Sequence, residues 1–395
     1  MADIKIYASN IDGKTVSDCY RLAKKPPLQH AKIRIMPDAH PGKGCVIGFT
    51  AAEWTYINPS IVGVDIGCGM LAVQLKEKDI DFAKLDNIIQ TYVPSGHGLH
   101  ERVPGRVYNA VDTLCDKLYA PVEGDNRQGV IHSMGTLGGG NHFIEVDKAA
   151  DGTLYLIIHT GSRHLGATVA AHYIKRAIRE LHHDAVQQRN DAIVQRLKAE
   201  GRPQDIQKTL MSQGNVPYIP EDDAYLFGKA ASDYLHDMEI VQGFAHDNRC
   251  AIANIILEHM DLHAETTFES VHNYIDFYDH IIRKGAIAAY RNQKVIIPIN
   301  MQEGCIIGTG KSNSDWNCSA PHGAGRILSR ADAKASLSMD EFQNAMQGIY
   351  STSICQSTLD ESPMAYKKLD DILPFLQETV DVEDIIKPVY NFKAH

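Results

Sequence analysis

Four apolar, β-branched runs each empty into a loop bearing glycine or histidine, and this constrains the fold more than any other feature. They are KIRIMPDAHPGKG (32–44), GTLGGGNHFIEV (135–146), LYLIIHTGSRHLG (154–166) and KVIIPINMQEG (294–304). Such runs read as strands, and the loops they deliver are where site residues concentrate. Two helical blocks, over about 166–200 and 222–262, interrupt the series. In the second, Met238, Val241, Ala245, Ile252 and Ile255 follow three- and four-residue spacing, which predicts a core-facing stripe. The polar stretch between the blocks (199–223) carries glycine and proline punctuation and reads as an excursion, not a domain boundary. Further on, Ser338 and Glu341 form a capping box that opens a helix, and IIKPVYNFKAH (385–395) reads as a final strand. The class expected is α+β, with site loops drawn from distant parts of the chain.

The chain has 395 residues, 44% hydrophobic and 22% charged, the balance of a globular protein with ample surface to bury. No apolar run approaches the roughly 20 residues that span a bilayer, so no membrane role is expected. The N-terminal MADIKIYASNIDG lacks the basic and apolar regions of a secretion signal. Eight cysteines scattered from Cys19 to Cys355 without a CxxC pair read as reduced thiols, and a cytoplasmic protein is expected. The net charge of −10 excludes a chain that is basic all over, so any nucleic-acid partner must be held in a local groove.

GVDIGCGM (63–70) sets Asp65 and Cys68 among three glycines, where a carboxylate and a thiol can point into one pocket. Asn141 with His142 and Glu145, His159, His272 with Asn273, and His322 hold comparable places, each where an apolar or glycine-rich segment ends. Singly, a histidine beside a strand is more often a hydrogen-bonded structural residue, and a buried cysteine mere packing. Together they predict a metal site, in which the Cys68 thiolate could bridge two ions. Cysteine and histidine favour Zn²⁺, while the carboxylate leaves Mn²⁺ open. In SAPHGAGRILSR (319–330), Gly323 and Gly325 would let backbone approach a phosphate, Arg326 and Arg330 offer planar forks for its oxygens, and His322 could attack phosphorus. HTGSRHLG adds Ser162 and Arg163, and RKGA adds Arg283 and Lys284. Three basic, glycine-flanked loops predict a polyphosphate or RNA substrate.

Taken in order, PDAHPGKG (37–44), VGVDIGCGM, GTLGGGNHFIEV, IHTGSRHLG, VHN, RKGA, SAPHGAGRILSR and the terminal FKA resemble the motifs of the RtcB family of RNA-splicing ligases, over nearly the whole chain. The resemblance implies one ligase domain over 1–395, with the family's mixed β-sheets and helices, a metal centre in a central cleft, and a helical excursion at about 166–262. It implies a GTP- and Mn²⁺-dependent enzyme of RNA splicing or repair. Its substrates would be RNA ends bearing a 3′-phosphate or 2′,3′-cyclic phosphate and ends bearing a 5′-hydroxyl. By motif, His322 would carry GMP; Asp65, Cys68 and His142 would hold one Mn²⁺, and Cys68, His159 and His272 the second. Asn141, His142, Phe143, Ile144, Glu145, His272, Asn273, Pro298, Ile299, Asn300, Met301, Cys305 and the His322, Gly323, Ala324, Gly325 loop would surround the nucleotide. Lys393 would read guanine, and Arg163, Arg326 and Arg330 would meet RNA phosphates. A monomer is expected, with an archease-type activator as a partner besides RNA.

Two departures from the family pattern stand out. His164 stands where glycine is usual, and PINMQEGC (298–305) replaces a small-residue run resembling PGSMGTGS. The second brings Glu303 near the triphosphate unless the loop swings it away. Rival expectations are a metal-dependent phosphatase or nuclease without a covalent nucleotide, a non-catalytic RNA-end-binding accessory, and a thiol enzyme built on Cys68.

Overall fold

Antiparallel pairing dominates the computed structural model, which describes residues 1–394. A seven-stranded sheet runs in the order Lys294–Asn300, Gly304–Gly310, Val380–Lys393, Phe143–Lys148, Leu154–Thr160, Gly69–Leu75 and Ala264–Val271. A five-stranded sheet runs Asp3–Ile6, Lys32–His40, Ile47–Ala52, Ile282–Lys284 and Asn273–Ile275, and only its first pair is parallel. A short ribbon joins Ala286–Ala288 to Ser319–Pro321. All four β-branched runs of the sequence lie on these strands, as their composition predicts.

The large sheet is rolled. Its edge strands meet where the Ile296 backbone N–H donates to Ser270 Oγ at 2.9 Å. Side chains alternate along each strand, so register decides which residues share the interior of the roll. Leu71, Val73, Ile144, Val146, Leu156 and Ile158 pack outside, with Leu85, Ile88 and Ile89 of the Phe82–Tyr92 helix and Ile252 and Ile256 of the Gly228–Met260 helix. Met70, Ala72, Phe143, Ile157, Ile296, Cys305, Ile307 and Ile386 pack inside. Each aliphatic side chain so buried contributes about 1.5–3 kcal/mol before conformational entropy is subtracted.

The two long helices span Arg163–Ala199 and Gly228–Met260. The first begins three residues before the expected 166, because Ser162 O already accepts from the Leu165 and Gly166 backbone. The second begins later than 222, since Glu221–Asp223 form a 3₁₀ turn and Leu226 spends its backbone on a bridge to Ile57. Met238, Val241, Ala245 and Ile252 are buried; Ile255 is only partly so, and Ile256 takes the core position. Pro203–Asp205 and Ile206–Met211 in the polar stretch bury nothing. The capping box at Ser338 and Glu341 is present.

The last strand begins at Val380, five residues before the expected 385, and its final residue in the sequence reading, His395, lies outside the described residues. Asp381, Glu383 and Asp384 hid its start, for acids are poor strand formers. They are tolerated because Lys311 pairs with Asp381 at 2.9 Å and Glu383 meets Lys294 and Thr309. Among the described residues no helix is long and apolar enough to cross a membrane.

Candidate active site

Antiparallel order puts the start of one strand beside the end of the next. Gly69 lies opposite Thr160 and Val271, Met70 opposite His159, and Phe143 opposite both His159 and Lys393. Cys68, His142, His159 and His272, remote in sequence, therefore converge at one end of the roll. The buried Arg249, on the Gly228–Met260 helix, braces them: its Nη1 donates to Gly67 O and Thr160 O, both at 2.8 Å, and its Nε to Glu269. Gly67 sits at φ +76°, and a Cβ there would lie 3.0 Å from Ala245 Cβ and 3.1 Å from Gln242 Cα, so only glycine lets the loop rest on that helix.

Cys68 Sγ is 3.5 Å from His142 Nε2 and 3.4 Å from His159 Nε2. His142 Nε2 is 3.0 Å from Asp65 Oδ2, and His159 Nε2 is 3.3 Å from His272 Nε2. Two overlapping donor sets result, Asp65–Cys68–His142 and Cys68–His159–His272, with the atoms of each within 4.8 Å of one another. His142 Nδ1 is 2.9 Å from Leu137 O, which can only accept. A proton therefore sits on Nδ1, and Nε2 is the nitrogen turned to the carboxylate and the sulfur: without an ion it shares a proton with Asp65, and it offers its lone pair once that proton leaves. A cation between them resolves that arrangement, and the donor set fits a divalent metal.

The electrostatics agree. Burial, then the charge of His142, keeps His159 far below the ordinary imidazole range; burial, then His322, does the same for His272. Both are neutral ligands at pH 7. Burial opposes ionisation of Asp65, but the hydrogen bond and charge of His142 hold it well below the usual carboxylate value. Burial and Asp65 push the Cys68 thiol well above its usual value. Metal-free Cys68 is thus a thiol, and an ion must displace its proton. Affinity for Zn²⁺ or Mn²⁺ should then rise about tenfold per pH unit below the thiol pKa, with about one proton released. Titration calorimetry in buffers of different ionisation enthalpy checks this; a pH-independent affinity would remove the thiol from the centre.

His322 follows the Ser319–Pro321 strand, its ring centroid 4.9 Å from that of His272. Its Nδ1 is 2.6 Å from Asp38 Oδ2, which also accepts the His322 backbone N–H at 3.2 Å. Asp38 is fully buried, on the Lys32–His40 strand where the register shifts between Ile35 and His40. The carboxylate fixes the proton on Nδ1 and leaves the Nε2 lone pair free to react. Gly325, at φ +80°, lets the turn after His322 lie on this strand, for a Cβ there would fall 2.1 Å from Asp38 O. A cavity of about 680 Å³ opens here, lined by Asn141, Phe143, Glu145, His159, His272, Pro298, Ile299, Asn300, Met301, His322, Gly323, Ala324, Gly325, Arg326, Arg330 and Lys393. That volume suits a nucleotide.

Other residues singled out in the sequence lie elsewhere. Asp65, Cys68, His142, Asn273 and Arg163 do not line the cavity. Ile144 points into the outer core, Asn273 Oδ1 accepts from Gly285 N at 3.0 Å, and Cys305 is wholly buried beside Glu145, its Sγ 3.9 Å from Oε1. Glu303 is turned away: its Oε2 accepts from Asn300 Nδ2 at 2.9 Å and Leu369 N at 3.1 Å. His164 is exposed on the first turn of its helix. Arg163 donates through Nε to Thr136 Oγ1 and through Nη2 to Gly96 O. Arg283 is buried against Asp276 at 2.8 Å, and Lys284 Nζ donates to Val62 O at 2.8 Å.

Glu361 gathers three cations of the cleft wall. Its carboxylate meets Arg326 at 3.1 Å, Arg330 at 2.5 Å, Lys393 at 3.0 Å and the Tyr366 hydroxyl at 2.6 Å. Burial works against its charge, yet Lys393 and Arg330 bring it down to about 2. Arg330 keeps 47% of its side chain exposed while Arg326 keeps 14%, so the former presents more of its guanidinium to the cleft. Asp38, Arg249 and Glu361 were not anticipated as site residues. For Asp38 the signal was present in PDAHPGKG; for the other two, nothing local marks them.

A buried double donor set that could hold metal, beside an acid-oriented histidine and opening on a nucleotide-sized cleft, is the arrangement of a group-transfer enzyme. The family model described as tRNA-splicing ligase RtcB matches residues 20–394, and the chain belongs to the RtcB family. It is 30% identical over 405 residues to the RNA-splicing ligase RtcB of Escherichia coli K12, covering 94% of this chain and 92% of that one. It is 26% identical to the tRNA-splicing ligase RtcB of Thermococcus kodakarensis, covering 95% and 90%, and 28% identical to that of Aeropyrum pernix, covering 91% and 86%.

Proposed function

We propose that this chain is a GTP- and Mn²⁺-dependent RNA ligase that joins a 3′-phosphate or 2′,3′-cyclic phosphate end to a 5′-hydroxyl end through GMP carried on His322. The observation that carries this reading is the 2.6 Å contact of His322 Nδ1 with Asp38, next to the Cys68–His159–His272 donor set. Bound at Asp65, Cys68, His142, His159 and His272, two divalent ions would supply Lewis-acid polarisation of phosphoryl oxygens.

His322 Nε2 attacks the α-phosphorus of GTP, an N–P bond forms, the bond to the β-phosphate oxygen breaks, and pyrophosphate leaves. Asp38 stabilises the positive charge that grows on the ring. An oxygen of the RNA 3′-phosphate then takes the guanylyl group and returns the imidazole to neutrality, and the 5′-hydroxyl displaces GMP to seal the strand. A cyclic phosphate must first be opened by water. Asn141, Glu145, Pro298–Met301, the His322–Gly325 turn and Lys393 would hold the nucleotide, with Arg330 and the exposed Lys43 at the cleft receiving RNA phosphate. Because Glu303 is bonded to Asn300 and Leu369, the altered 298–305 loop need not repel the triphosphate.

Intact-mass measurement after incubation with GTP and Mn²⁺ tests the reading. A GMP adduct that maps to His322 and is labile in acid, as a phosphoramidate should be, is the expected result. Release of phosphate from RNA ends without any adduct would favour the metal-dependent phosphatase instead.

A further inference from the structure

The roll holds a further group of metal donors, of which the ligase reading uses Glu145 alone, and that only toward the nucleotide. Glu145 and Asp147 sit two residues apart on the Phe143–Lys148 strand and so face the same side, the interior, together with Phe143. Their surroundings there are Ile157, Ile296, Ile307 and Ile386. Cys305 joins them from the Gly304–Gly310 strand, which lies two places away in the sheet, and its Sγ comes within 3.9 Å of Glu145 Oε1. The register slips between Pro388 and Tyr390 on the intervening strand. One donor atom from each of Glu145, Asp147 and Cys305 lies within 4.8 Å of the others, and all three residues are buried.

Two acids inside an apolar roll demand compensation. No N–H group reaches either oxygen of Asp147, whose polar company is the carboxyl of Glu145 and the thiol of Cys305, and the residue has no exposed surface. Asn391, opposite Glu145, donates Nδ2 to Glu145 Oε2 at 2.5 Å, while its own buried Oδ1 also has no partner. Lys393 favours the ionised form of Glu145 and Lys387 that of Asp147, but Lys393 is also bonded to Glu361. Burial and the adjacent Glu145 leave the Asp147 carboxyl well above its ordinary range when no ion is present.

We propose that Glu145, Asp147 and Cys305 form a third cation site, separate from the Cys68 centre, that takes one thiophilic divalent ion of the Zn²⁺ type. A thiolate with two carboxylates suits Zn²⁺ better than Mn²⁺. Donors sharing one Zn²⁺ sit about 3.5 Å apart, close to the spacing present. The ion would satisfy Asp147, displace the Cys305 proton and fix the carboxylate of Glu145, which lines the cleft and gives the ion its way in.

The test loads full-length protein with Zn²⁺ alone, removes excess and counts metal. Asp147→Asn and Cys305→Ser, which conserve volume, should each hold one equivalent less than wild type while GTP labelling of His322 remains detectable. In parallel, Cys68→Ala loaded with Co²⁺ should retain a thiolate-to-metal charge-transfer band, and adding Cys305→Ser should abolish it. Wild-type zinc content in both volume-conserving variants, or no Co²⁺ band in Cys68→Ala, would overturn the site and leave Asp147 a protonated acid bonded to Glu145. That failure would not touch the ligase reading, which fails only if no GMP adduct forms.

Discussion

Asp38→Asn should slow guanylylation of His322 by about a thousandfold, roughly 4 kcal/mol, while GTP binding changes little. The amide keeps the shape and can still hydrogen-bond the ring, so the fold has no reason to fail. What changes is the charge and the hold on the tautomer. Asn can turn Oδ1 to the ring and to the His322 backbone N–H, but it can also turn Nδ2–H to Nδ1 and drive the ring proton onto Nε2, the nitrogen that has to attack phosphorus. In either orientation the negative charge that offsets the cationic ring as the N–P bond forms is gone. His322→Ala should abolish labelling altogether. Single-turnover labelling against GTP concentration separates rate from affinity; an Asn variant within threefold of wild type would show that Asp38 only packs the 2.6 Å contact and does not set the reacting nitrogen.

Cys68→Ala should cost two equivalents of metal, where His142→Ala and His159→Ala cost one each. Cys68 alone belongs to both donor sets, with its sulfur 3.5 Å from one imidazole and 3.4 Å from the other. Ligation should fall to background in the cysteine variant. Metal analysis of the three purified variants decides the matter. Loss of a single equivalent from Cys68→Ala would mean that the two sets do not share their sulfur. Metal content unchanged from wild type would make Cys68 a packing residue.

Much of this arrangement was legible because its chemistry is local. Each metal donor candidate stands at the end of an apolar run, and the runs became strands. What the sequence could not carry was partnership. Arg326 and Arg330 read as phosphate forks because the acids that meet them, Asp360 and Glu361, stand thirty or more residues further on and belong to a 3₁₀ turn. Asp38 acquires its role from a register shift in its strand, which no periodicity reveals. Asp147 looks like an ordinary polar residue at a strand end until the roll closes over it. The start of the last strand was lost to its acids, which cross-strand lysines neutralise.

The rolled sheet also dictates a timetable. Asp65, Cys68 and His142 are brought together by strands of the first 160 residues, through the pairing of Gly69–Leu75 with Leu154–Thr160 and of that strand with Phe143–Lys148. His272 joins only when Ala264–Val271 adds to the sheet edge, and His322 later still. Closing loops of such length is slow, and non-local strand pairings reward the chain late. A chain growing from its N-terminus therefore gains one donor corner early, the second more than a hundred residues later, and His322 after both. On the proposed function, it would become able to hold metal before it could use it, and a partly made enzyme would have no reactive histidine with which to capture a nucleotide.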